Sequence, residues 1–173
     1  MNYNNVRVMI TKDEVEALVK NLGKKITADF AGKKLTLIGV LKGSFIFLAD
    51  LVRAIDLPVE IDFICAKSYQ GTTSTGVVNV KMDTIIDIEG RSVMLVEDIL
   101  DTGKTLYALR ETLLSRGAKE VKIVTFLDKP ARRTVDITAD YSCKTIEDRF
   151  VVGYGLDYDE KYRNLDYVGE VIL

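Results

Sequence analysis

The spacing of apolar residues changes period several times along the chain. Val15, Leu18, Val19, Leu22 and Ile26 fall three or four apart, which predicts one buried face of a helix. Just before them, Thr11-Lys12-Asp13-Glu14 has the form of a capping box, with Ile10 and Val15 placed for a hydrophobic staple. Leu35 to Val40 (LTLIGV) is a continuous apolar run between polar flanks and predicts a short strand. From Gly43 to Ile55 the helical period returns through Phe45, Leu48, Leu51 and Val52. Val93 to Val96 (VMLV) predicts a second buried strand, followed by a helix through Leu106, Leu109, Leu113 and Leu114 that should stop at Gly117. Val121 to Leu127 (VKIVTFL) predicts the next strand.

Strands that alternate with helices imply right-handed crossovers and an α/β fold, a parallel β-sheet flanked by helices on both faces. Ligands in such folds bind beyond the carboxyl ends of the strands. Between these units, Val59 to Ser68 and Val77 to Met82 read as two strands joined by the polar segment Tyr69 to Gly76. Its composition suits a mobile lid and an ordinary long hairpin loop equally well.

The chain is long enough, at 173 residues with 47% apolar content, for one well-buried core, and a single domain is expected. Its 24 basic and 26 acidic side chains nearly cancel, so no global field points to nucleic acid or to an anionic membrane. Cys65 and Cys143 lack metal-ligand spacing and read as packing thiols. With no long apolar run at the start or later, a cytoplasmic protein is expected. The chain contains no histidine, which excludes Ser-His-Asp and Cys-His catalysis and any histidine-ligated metal. A general acid or base must then be a carboxylate, lysine, tyrosine or cysteine.

The richest chemistry lies in Val96-Glu97-Asp98-Ile99-Leu100-Asp101-Thr102-Gly103-Lys104-Thr105, which runs from a strand end into a helix start. Thr102, Gly103 and Thr105 can present N–H groups and hydroxyls to a phosphate there. Glu97 and Asp98 can accept hydrogen bonds from sugar hydroxyls or enter the shell of a divalent cation. The bland alternative makes Asp101 or Thr102 a helix cap and the other two carboxylates solvated strand-end charges. A Walker A loop is excluded because Asp98 stands where a glycine is needed. Gly153-Tyr154-Gly155 is no dinucleotide fingerprint either, since Tyr158 occupies the third glycine's place.

This segment resembles the phosphoribosyl pyrophosphate signature of the type I phosphoribosyltransferases, in the form found in their hypoxanthine-guanine branch. Leu41-Lys42-Gly43-Ser44 is similar to that family's pyrophosphate loop, Ser68-Tyr69 to the start of its flexible lid, and Phe150 to Tyr158 (FVVGYGLDY) to its base-binding hood. The resemblance implies transfer of the phosphoribosyl group to hypoxanthine or guanine in purine salvage, with Mg²⁺ as cofactor. It implies that Glu97 and Asp98 hold the ribose hydroxyls directly or through the metal, and that Asp101, Thr102, Gly103, Lys104 and Thr105 cradle the 5-phosphate. Asp101 becomes the acid/base at purine N7, Lys129 the donor to O6, Phe150 the stacking ring and Val151 the main-chain contact to the base edge. Lys42, Gly43 and Arg163 fall on the pyrophosphate side, and Asp157 on a second metal. A non-proline cis peptide between Leu41 and Lys42 is implied too, as are a hood made by the N-terminal residues with approximately 129–173, and a homodimer or homotetramer.

Arg132-Arg133 is expected to be a solvated pair without a role, and Asp128 a charge able to tune purine preference. Two rivals follow from the same residues. An RNA-binding regulator on this scaffold would need a basic face that the charge balance does not supply. An enzyme for adenine would conflict with Lys129, because the 6-amino group is itself a donor.

Overall fold

The computed structural model describes residues 5–68 and 78–172. The lid expected over Tyr69 to Gly76 therefore lies outside the described residues, and Ser68 closes the strand before it. Strand β1 (Val6–Ile10) leads into helix α1 (Lys12–Asp29), β2 (Leu35–Leu41) into α2 (Phe45–Ala54) and β5 (Ser92–Leu100) into α3 (Lys104–Ser115). Strands β3 (Val59–Ser68) and β4 (Val78–Met82) lie between the second and third of these units. The chain continues through β6 (Glu120–Asp128), a 3-10 turn at Pro130–Arg132, β7 (Tyr141–Thr145), β8 (Val151–Val152) and β9 (Val168–Val171).

Six strands form one sheet in the order β4-β3-β2-β5-β6-β7. All neighbours are parallel except the edge pair β3 and β4. The sheet is apolar on both faces because helices cover both. Leu37, Met94, Val96 and Phe126 join the core beneath α1 and α2, whereas Ile38, Val40, Leu95 and Ile123 join the core beneath α3. Alternate residues along β2, β5 and β6 thus enter different cores, and this is why these strands read as continuous apolar runs.

Helix α1 starts on the expected capping box, with the Thr11 side chain accepting from Glu14 N and the Glu14 carboxylate accepting from Thr11 N. Helix α2 departs from the expected face: Phe45 is 45% exposed, while Phe47, Leu48 and Leu51 are buried. Its start faces a cleft rather than the core. A second, three-stranded sheet has the order β1-β9-β8. Of the 129–173 stretch expected to form the hood, β7 lies in the large sheet, whereas β9 pairs with β1 and β8 with β9 in the small one. Among the described residues, no helix is long and apolar enough to cross a membrane.

Candidate active site

Strand β5 carries its apolar pattern to Val96 and then delivers Glu97 and Asp98 at its carboxyl end, still within the ladder to β6. The turn that follows surrounds a pocket of about 160 Å³ lined by residues 97–103 with Thr105 and Leu106. Gly103 caps α3 at φ 82°, a left-handed conformation that a side chain would strain, and an added Cβ would meet Ile137 at 2.5 Å. The expected phosphate turn is therefore a helix N-terminus with its donors free of side-chain caps. Lys104 is exposed and lies outside the lining of this pocket.

Burial pushes the Glu97 carboxyl well above its ordinary pKa, and the adjacent Asp98 charge adds to the rise. Asp98 is also raised by burial, although N–H donation from Ile99 and the nearby Arg163 guanidinium oppose it. Two carboxyls held this way favour a cation or hydroxyl donors beside them. Their oxygens suit a hard divalent ion, and Mg²⁺ in particular is commonly held by one or two carboxylates with the remaining ligands from substrate and water. No group of three or more metal-binding side chains occurs among the described residues, so the protein side of such a site would be this pair.

Gly43 joins the separate motifs in space. A Cβ on Gly43 would sit 1.8 Å from Asp98 Oδ2, and one on Gly155 would sit 2.1 Å from the Gly43 carbonyl oxygen. The 41–44 turn, the end of β5 and the 153–155 turn meet at this glycine, across a Leu41–Lys42 peptide that is cis. Lys42 and Arg163 line a second cleft of about 490 Å³ with Leu41, Phe45, Phe63 and Glu160. Glu160 Oε2 bridges the two cations, 3.0 Å from Lys42 Nζ and 3.3 Å from Arg163 Nη2. Asp157 pairs with Arg163 at 2.8 Å and accepts N–H from Glu160. Asp157 thus lies with the cations rather than in the pocket of Glu97 and Asp98.

On the other side of Asp101, Lys129 is 7% exposed and donates to the Arg149 carbonyl oxygen at 3.0 Å. Its Nζ lies 4.0 Å from Asp101 and 3.8 Å from Asp148. Asp101 Oδ1 is buried without a hydrogen-bond partner, with Arg132 Nε 3.7 Å away. Phe150 is 48% exposed, with its ring nearly perpendicular to that of Tyr158 at 5.4 Å between centroids. Val151 is buried by its side chain while its backbone lies in the small sheet against Glu170.

The arginines differ from expectation. Arg132 lies 3.7 Å from Asp101 and 3.6 Å from Asp148, and Arg133 turns inward to pair with Asp128. Arg132 is exposed, as expected, whereas Arg133 is not solvated, and Asp128 is spent on Arg133 rather than left to face a base. Arg132, Arg133, Asp148 and Glu160 were not legible as site residues, because isolated charges in a loop carry no period and their partners are distant in sequence.

Comparison with known proteins agrees with this geometry. Residues 9–159 match the phosphoribosyl transferase domain family. The hypoxanthine-guanine phosphoribosyltransferase of Streptococcus pneumoniae is 53% identical over 164 residues, covering 94% of this chain and 91% of that protein. The crystal structure of a hypoxanthine phosphoribosyltransferase from Staphylococcus aureus superimposes with a TM-score of 0.94 at 47% identity, covering 98% of this chain and 93% of that one. A hypoxanthine-guanine phosphoribosyltransferase from Bacillus anthracis gives a TM-score of 0.91 at 44% identity, with 96% and 97% covered. This chain therefore belongs to the phosphoribosyl transferase family.

Proposed function

We propose that this protein joins hypoxanthine or guanine to the ribose 5-phosphate of phosphoribosyl pyrophosphate, releasing pyrophosphate and forming the purine nucleotide. The observation that carries this reading is Lys129, a donor 4.0 Å from Asp101 at the helix N-terminus that would take the phosphate, with the half-exposed Phe150 ring as a flat apolar surface. A 6-oxopurine needs that donor and that surface.

Glu97 and Asp98 receive the ribose hydroxyls, and residues 101–105 receive the 5-phosphate. As the bond from C1 to pyrophosphate breaks, negative charge grows on the leaving group, and Lys42 and Arg163 are the cations lining the adjoining cleft. Asp101 manages the proton at purine N7. Mg²⁺ would be held by Glu97 and Asp98, with Asp157 beside Arg163 as the carboxylate for a second metal, and would supply charge neutralisation for the pyrophosphate. The small sheet with the 150–158 segment forms the hood, to which Val151 lends its main chain. The working place is the cytoplasm. Half-exposed Ile61 and Met82 support a homodimer or homotetramer, and a sedimentation run showing monomer alone would count against it.

The test is a magnesium-dependent assay of nucleotide formation from phosphoribosyl pyrophosphate with hypoxanthine, guanine, xanthine, adenine, orotate and uracil supplied separately. Turnover of hypoxanthine or guanine is expected. Turnover of adenine without hypoxanthine would refute the base assignment.

A further inference from the structure

A turn can converge its N–H groups on an anion only if its carbonyls point elsewhere and find other donors. In the turn after β5, three successive carbonyls are served by one short segment after β6. Lys129 N donates to Leu100 O at 3.0 Å, and Thr134 N donates to Thr102 O at 3.0 Å. Between them, Arg133 Nη1 donates to Leu100 O at 3.1 Å and to Asp101 O at 2.9 Å. Its other nitrogen, Nη2, donates to Asp128, the last residue of β6. The stem of Arg133 also backs the turn, since a Cβ on Gly103 would lie 3.1 Å from its Cδ. Only 15% of the Arg133 side chain and 20% of that of Asp128 are exposed.

We propose that Arg133, braced by Asp128, is the positioning residue of the phosphate turn, holding the Leu100 and Asp101 carbonyls outward so that the donors of residues 102–105 stay aimed at the 5-phosphate. The inference rests on the phosphoribosyl-transfer reading for its ligand. The guanidinium has the fork that this task requires: one edge serves two carbonyls while the other holds a carboxylate. Lysine keeps the charge and loses the fork. Asp128→Asn keeps the shape and removes the charge that fixes the guanidinium.

The consequence is selective by ligand. Molecules carrying a 5-phosphate lose affinity when the brace is removed, and molecules without one do not. Ribose 5-phosphate binding is measured by calorimetry for the wild type, Arg133→Lys and Asp128→Asn, alongside KM for phosphoribosyl pyrophosphate, KM for the purine, and thermal midpoints. The Kd for ribose 5-phosphate should rise roughly tenfold or more in Arg133→Lys and less in Asp128→Asn. KM for phosphoribosyl pyrophosphate should rise with it, while KM for the purine stays put. Unchanged ribose 5-phosphate binding in both variants would overturn the inference, as would equal losses for purine and phosphate. If Arg133→Lys does not fold, Asp128→Asn decides alone by the same split. A wild type that binds ribose 5-phosphate but turns over no purine sinks the transfer reading only, and the binding comparison still decides the role of Arg133. A wild type that fails to bind ribose 5-phosphate overturns the positioning role as well.

Discussion

Asp101 sits among charges that are shared rather than paired. Lys129 and Arg132 each lie near both Asp101 and Asp148, at distances from 3.6 to 4.0 Å, so no tight ion pair captures the Asp101 carboxylate. It stays available to a proton while remaining surrounded by positive charge. Asp101→Asn keeps the size and removes the proton function, so turnover should fall by about 10² to 10⁴-fold while phosphoribosyl pyrophosphate still binds. Steady-state rates with calorimetric binding check both halves, and equal turnover would reduce Asp101 to a structural turn residue. Glu160 poses the opposite case. Its single oxygen Oε2 holds Lys42 and Arg163 together, and a phosphate group arriving there must replace it. Because these pairs are partly open to solvent, Glu160→Gln should lower KM for phosphoribosyl pyrophosphate by no more than about fivefold. A raised KM would show that Glu160 organises the cations instead of competing for them.

The elements legible in the sequence are those whose local signals and burial agree. Helix α1 announces itself through its capping box, and β2, β5 and β6 through apolar runs that both cores consume. Thr11→Ala should cost about 1 kcal/mol of stability by denaturant unfolding, since it removes one side of a reciprocal cap. Strands β7 and β9 were not announced because they are short, and the partner of β9, strand β1, lies at the far end of the chain. The exposed Phe45 misled for a related reason: helical spacing says which residues share a face, but not where that face ends. Position along the chain also hid the link between the end of α3 and the end of β4. Arg116 donates to both oxygens of Asp83 at 2.7 Å, and this pairing holds the Asp83 carboxyl below the ordinary carboxylate range. The folded pKa is the lower one, so the contribution to stability is complete above the ordinary range and disappears as pH falls through the lowered value. Asp83→Asn should therefore flatten the acid side of the stability curve, measured by urea unfolding between about pH 5 and pH 2.

At the scale of the molecule, an aromatic chain connects the large sheet to the turn that carries the candidate hood residues. Phe47 of α2, Phe126 of β6 and Tyr154 pack in sequence as tilted rings, with centroids 5.5 and 4.8 Å apart. The Tyr154 hydroxyl then donates to Asp50 Oδ2 at 2.7 Å, returning to α2. Phe126 is fully buried, so Phe126→Ala should cost roughly 3 to 5 kcal/mol by calorimetric unfolding. The same cavity should loosen residues 150–158, which faster amide exchange there would reveal. Nothing in the sequence foretold this chain of rings, since its members come from three separate elements and share no spacing.

Gly43 and Gly32 carry opposite kinds of constraint, and a saturation library would separate them. At Gly32 an added Cβ meets nothing within 4 Å, and only the backbone angle of 75° resists a side chain, so asparagine and aspartate should persist among the survivors. At Gly43 the obstacle is Asp98 itself, 1.8 Å from where the first carbon would stand. Selection for growth on a salvaged purine should leave that codon with a single meaning.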